Sequence, residues 1–171
     1  MSLLKSIGGK KVNFDFNKDF LSIFTDKIKT SDIKFINQTL KDLHPSDVAN
    51  LIENLSVEIR AKLIEIEEFN IDPEIFVEIN ESIQTEVLQL LSTDSIAKIL
   101  KRLESDNSIA ILENLEEKKK IAVLDKLPPK DRFLLEEGLS YPEDSAARIM
   151  QREFTAVPSN WTVGQTIDYL R

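Results

Sequence analysis

Between Leu63 and Ala97 the sequence places nine carboxylates, Glu65, Glu67, Glu68, Asp72, Glu74, Glu78, Glu81, Glu86 and Asp94, and not one Lys or Arg. Carboxylates in such a run are hard oxygen donors, suited to Mg²⁺ or Ca²⁺, and Mg²⁺ takes only one or two of them directly while keeping several waters. The spacing D-x-[DN]-x-[DN]-G of a dedicated calcium loop is absent. The only histidine, His44 in "LHPSDV", stands before a proline and a helix start, where a turn residue is expected rather than a base or ligand. With one His and no Cys, neither a zinc set, a thiolate nucleophile nor a disulfide can be assembled. No G-x-G-x-x-G, P-loop or G-x-S-x-G stretch occurs, and paired carboxylates without a cleft signal do not make acid–base machinery. The chemistry on offer is weak cation binding, not catalysis, and no enzyme is expected.

Charge points the same way. Thirty acidic against 22 basic residues give a formal charge of −8, which repels nucleic acid and anionic membrane and favours cations or basic partners. No stretch approaches the roughly 18 apolar residues of a membrane span, and "MSLLKSIGGKKVNFDF" lacks the apolar run of a signal peptide, so a soluble piece is expected.

What positions these acids is a repeat. Stepping by twelve from Leu43 gives Leu55, Glu67, Ile79, Leu91, Leu103, Leu115, Leu127 and Leu139, so that eight of nine positions are Leu or Ile. Shortly before them lie the apolar pairs Leu51-Ile52, Leu63-Ile64, Ile75-Phe76, Val87-Leu88, Ile99-Leu100, Ile111-Leu112 and Val123-Leu124. Spacing of i, i+3, i+4 marks one apolar face per unit. A helix of about two turns is unstable alone in water and must bury that face on its neighbours. Ser46-Asp47, Asp72-Pro73, Thr93-Asp94, Ser105-Asp106 and Pro128-Pro129 supply caps or first-turn prolines at the joints. The expected fold is all-α, a right-handed superhelix (α-solenoid) of short stacked helices, an architecture that usually binds rather than catalyses. Leu103, Leu115 and Leu127 are expected to be buried. Two longer helices, near 16–29 and 31–42, are expected to cap the first end, after a flexible tail over residues 1–15.

The last stretch breaks the beat. "YPEDSAARIM" followed by "EFTAVPSNWTVGQTIDYLR" resembles the junction between the amino-terminal intracellular domain and the first CBS domain of MgtE-type magnesium transporters. The matching positions are Tyr141 to Ala146, Met150, Glu153 to Val157, Trp161 to Val163, Ile167 and Leu170, and the likeness extends back through "LHPSDVANLIENL" to Leu43. Ala147 stands where relatives often carry Gly. The resemblance implies a superhelix over 16–139, a connecting helix over 140–152, and at 153–171 the truncated start of a CBS domain with a short orphan strand at Glu153 to Val157.

It also implies a function: a cytosolic Mg²⁺-sensing regulatory domain, in which ions bridge acidic faces of this domain to the CBS domains and linking helix of the same protein and close the pore. The family's bridging acids fall on Glu74, in "DPEIFVEI", and Asp106, in "LESDNSIAIL", while a further family acid falls on Ala110. Mg²⁺ is thus the implied cofactor, held weakly and shared with domains outside this chain. A homodimer, placement at the cytoplasmic face of the cell membrane, and membrane contact only through a separate C-terminal domain are implied as well. The competing reading is a protein-interaction α-solenoid related to flagellar motor switch proteins, which also stack short helices.

Overall fold

The computed structural model describes residues 18–67, 72–153 and 155–171, residue 67 by its backbone alone. The tail expected at 1–15, the side chain of Glu67, and Glu68 lie outside the described residues. Eleven helices are present among them: α1 (Lys18–Lys29), α2 (Ile33–Asp42), α3 (Pro45–Glu53), α4 (Val57–Glu67), α5 (Ile75–Glu78), α6 (Glu81–Leu90), α7 (Thr93–Leu100), α8 (Ser105–Glu113), α9 (Glu117–Leu124), α10 (Pro129–Ser140) and α11 (Val163–Leu170). The chain is all-α.

From α3 to α10 the closest packing is on the second neighbour. α3 lies on α5, α4 on α6, α7 on α9 and α8 on α10, while α1 sits against both α2 and α4. Short helices stacked two apart form a solenoid, in which each buries its stripe on the repeat before and after it. All seven apolar pairs read from the sequence are buried, from Leu51-Ile52 at one end to Val123-Leu124 at the other. Leu55, Ile79, Leu91, Leu115 and Leu127 are buried too, while Leu43, Leu103 and Leu139 are half-buried against the same core. All of these but Leu139, which lies inside α10, sit at the joints. Their amides close the outgoing helix, as in Leu55 N to Ile52 O at 3.2 Å and Leu115 N to Leu112 O at 3.2 Å. A large apolar side chain there both ends one helix and plugs the corner into the next.

The caps sit one or two residues from where the sequence suggests. His44, not Ser46, caps α3, its Nδ1 accepting the Ser46 amide at 3.3 Å. Ser92, not Thr93, caps α7 through the Ser95 amide. Asn80 caps α6 through Ser82, and Asp32 caps α2 through Phe35. Each substitutes a side-chain oxygen or nitrogen for a missing main-chain acceptor.

A buried polar series runs through the stack with twice the apolar period. Arg60, Gln84 and Ser108 are all buried, and each reaches the carbonyl eight residues back: Arg60 to Ile52 at 2.8 Å, Gln84 to Phe76 at 2.6 Å and Ser108 to Leu100 at 3.1 Å. Those carbonyls lie near the ends of α3, α5 and α7, where helical acceptors run out of intrahelical donors. Every other helix therefore closes the one before it.

Beyond α10 the connecting helix expected over 140–152 does not form, and the strand expected at Glu153 to Val157 is not borne out. Residues 141–150 form successive turns rather than a connecting helix, because Pro142 offers no amide and the bonds Ser145 N to Pro142 O and Arg148 N to Ser145 O span only three residues. No strand is assigned among the described residues of 153–157, from which Phe154 is excluded; a strand needs a ladder partner, and none of them has one.

Candidate functional site

The acidic stretch from Glu65 to Asp94 spans the end of α4 to the start of α7. Glu65, Asp72, Glu74, Glu78, Glu81 and Asp94 are exposed. The absence of cations inside the window does not leave it unpaired, because the stack brings cations in from other repeats. Arg60 grips Glu86 through Nε at 2.8 Å and Nη2 at 3.2 Å. Lys126 reaches Asp94 at 3.2 Å. Asp72 accepts the Glu74 amide at 3.2 Å in a local turn. Glu65, Glu74, Glu78 and Glu81 take part in no ion pair among the described residues. Among the described residues, Glu65, Glu74, Glu78 and Glu81 are the carboxylates of the acidic run that stay solvated without an ion pair.

Glu74 immediately precedes α5 and makes no side-chain cap, so its carboxylate is free in solvent. Asp106 occupies the first turn of α8, where main-chain amides and the helix dipole favour a negative charge. Its Oδ1 is buried without a hydrogen-bond partner among the described residues. An orphaned carboxylate oxygen is an acceptor without a donor, of the hard type that Mg²⁺ takes. The two predicted residues stand at the starts of two different helices, Glu74 before α5 and Asp106 in the first turn of α8, and no group of three or more His, Asp or Glu converges on a metal position among the described residues.

Beside Asp106 is a contact that no sequence spacing announces. Glu104, the residue before α8, makes no side-chain cap. Glu153, 48 residues beyond Ser105, does the capping: its two carboxylate oxygens accept the Ser105 amide at 3.1 and 3.2 Å, and Oε2 accepts the Ser105 hydroxyl at 2.9 Å. Partial burial pushes the Glu153 carboxyl up, but the bonds from Ser105 and the main chain outweigh it and hold the group below its ordinary value. The Arg152 amide donates to the Ser105 hydroxyl at 3.0 Å. Arg148 is buried and ties the same segment to the end of α10, through the carbonyls of Gly138, Leu139 and Tyr141, and to Glu113 of α8 at 2.5 Å.

Elsewhere the stack joins by polar rungs rather than by a cleft. Lys119 of α9 donates to the carbonyls of Leu88, Gln89 and Leu91 at the end of α6, at 2.8, 3.1 and 2.8 Å. Burial lowers its ammonium pKa, and those carbonyls replace the lost water. Asn114 donates to Gln84 at 2.9 Å. Among the described residues no nucleophile–base pair stands with these groups, and no helix is long and apolar enough to cross a membrane.

Three comparisons bear on this arrangement. The family model described as the MgtE intracellular N domain matches residues 43–144, from the first joint leucine to the turns after α10. A solved structure described as the crystal structure of the soluble part of a magnesium transporter superposes with a TM-score of 0.68 at 20% identity, over 88% of this chain and 59% of that one. At that identity the likeness is one of fold, and the chain spans about three-fifths of the solved chain. No curated protein matches the sequence.

Proposed function

Because the chain belongs to the MgtE intracellular N domain family, we propose that it is a cytosolic regulatory domain of a magnesium transporter, sensing Mg²⁺ by docking its acidic face onto CBS domains of the same protein. The observation that carries this reading is the set of exposed carboxylates on α4 to α6 that take part in no ion pair among the described residues, with Asp106 carrying an oxygen on α8 that has no partner among them. In this reading the domain is one arm of a homodimeric transporter at the cytoplasmic face of the cell membrane.

The residues do three things. Arg60, Lys119 and Lys126 tie the repeats together through Glu86, the α6 carbonyls and Asp94, so that the acidic face moves as one body. Glu65, Glu74, Glu78 and Glu81 give that face its negative potential. Asp106 and Glu74 each present one oxygen-donor group to a second surface. A bound Mg²⁺ supplies the positive charge that lets two acidic surfaces meet. Two carboxylates about 4 Å apart repel by about 4 kcal/mol at an effective dielectric near 20. Moving an equilibrium from 1:99 to 99:1 takes about 5.5 kcal/mol. Relief of a few such contacts is therefore enough to dock or release a domain, provided the ions favour one arrangement.

Calorimetric titration of this chain with Mg²⁺ is expected to show only weak binding, because each place holds a single carboxylate. In the whole transporter, Mg²⁺ is expected to protect the domain from protease over the range in which the pore closes. A submicromolar site in the isolated chain, or protection indifferent to Mg²⁺, would overturn the proposal.

A further inference from the structure

Residues 141–153 run back across the last repeats and are tied down at two places of unequal strength. At the first, Arg148 is 8% exposed and divides its guanidinium between Glu113 and three carbonyls at the end of α10. A buried guanidinium held by a carboxylate and three carbonyls is costly to expose, since every bond it leaves strands a partner. Arg152 braces the segment on itself, donating to Ala147 O at 2.7 Å and Met150 O at 3.2 Å with its guanidinium 5.6 Å from the centre of the Tyr141 ring. At the second place, Glu153 is an exposed residue whose carboxylate caps α8 through Ser105. Water reaches this group and can replace its bonds one for one. Of the two ties, Glu153 opens first.

We propose that residues 141–153 are a strap held permanently at Arg148 and latched reversibly at Glu153, and that release of Glu153 from α8 lets the chain after it change its direction relative to the solenoid. The latch works because α8 has no cap of its own. Glu104 does not fill that role, so the helix end stays satisfied only while Glu153 is seated, and opening leaves the Ser105 amide to water. The geometry also couples the two sides. Ser105 is the first residue of α8 and Asp106 the second, so motion of the strap is felt next to the unpartnered carboxylate oxygen. The latch requires neither a particular domain beyond the strap nor Mg²⁺ bound at Asp106.

Residue-resolved hydrogen exchange on the 171-residue chain tests it. In Glu153→Gln and, independently, in Ser105→Ala, the Arg152 amide is expected to exchange about tenfold faster or more, as lost charge-assisted bonds at a locally opening segment require. In Glu153→Gln the Ser105 amide shows the same acceleration, while the amides of Arg148, Leu88 and Ile111 keep the wild-type rate. Unchanged exchange at Arg152 in both variants would overturn the latch. So would a rise of equal size at Leu88 and Ile111, because Glu153 would then be a cap holding up the whole fold.

Discussion

Arg60 donates to the main-chain carbonyl of Ile52 at 2.8 Å while its other nitrogens hold Glu86, so one buried side chain closes the helix before it and grips the repeat after it. Removing it strands both partners. Arg60→Met is expected to cost about 2–3 kcal/mol, below the full penalty of a broken buried pair because Glu86 keeps some solvent contact. Replacing both partners, Arg60→Met with Glu86→Leu, is expected to recover most of the loss, and urea unfolding of the three variants as a double-mutant cycle measures the coupling. Additive losses would show that the pair contributes nothing specific.

Leu115 is 6% exposed at the corner between α8 and α9. Leu115→Ala leaves a cavity in a joint that main-chain bonds on both sides keep from collapsing. A loss of about 2–5 kcal/mol is expected from the shift of the urea midpoint. A loss under about 0.5 kcal/mol, the scale of ordinary surface substitutions, would mean that the joint positions do not hold the stack.

At Gly138, α10 packs tightly against Ile109 of α8. A β-carbon there would overlap Ile109 Cδ1 and lie 3.1 Å from Arg152 Nη1. In a free helix Gly→Ala gains about 1 kcal/mol, but here overpacking costs about 1–3 kcal/mol and wins. Gly138→Ala is thus expected to lower the thermal midpoint, and Ile109→Val, which removes the obstructing methyl, is expected to reverse the sign of its effect. If Gly138→Ala stabilises the wild-type background, the contact between α10 and α8 is looser than the geometry shows.

The stack is legible in the sequence because its driving force is local and periodic. Each of the seven apolar pairs recurs every twelve residues, and burial results from that spacing whatever the partner helix is. The polar series at Arg60, Gln84 and Ser108 has the same origin but is harder to read, since three different side chains perform one task at twice the period. Its signal is present all the same: each is a polar residue eight positions after the second member of an apolar pair. Glu153 on Ser105 is not legible, because a cap supplied from 48 residues away depends on how the turns at 141–150 lead the chain back. For the same reason the acidic run overstates the free charge, as Glu86 and Asp94 find cations outside their own stretch.

The Glu153 latch carries a pH signature. Its folded-state pKa lies below the ordinary glutamate value, so the group contributes stability above the unfolded pKa, about 4.3, and that contribution is lost as pH falls through the folded value. The stability difference between wild type and Glu153→Gln is therefore expected to be constant from pH 8 to about pH 5 and to shrink in acid. Urea unfolding at several pH values measures it. A difference that grew on acidification would have the wrong sign for a hydrogen-bonded carboxylate.

Glu74→Gln combined with Asp106→Asn tests the two positions at which the resemblance and the acidic face coincide. Neutralisation removes ligands and repulsion together, so the two effects oppose each other. Glu65, Glu78 and Glu81 remain exposed and keep the face negative, which leaves most of the repulsion in place. Ligand loss is not compensated, because an amide oxygen is a poorer partner for a hard cation and each position had only one carboxylate to give. In the whole transporter the double variant is therefore expected to need more Mg²⁺ for protease protection, and pore closure is expected to shift the same way. The single variant at Asp106 is expected to carry the larger share, since its unpartnered Oδ1 is the better-placed acceptor while Glu74 stands fully in solvent. An unchanged Mg²⁺ midpoint would remove both residues from the site and leave the carboxylates of α4 and α6 as its ligands, with the family membership unaffected.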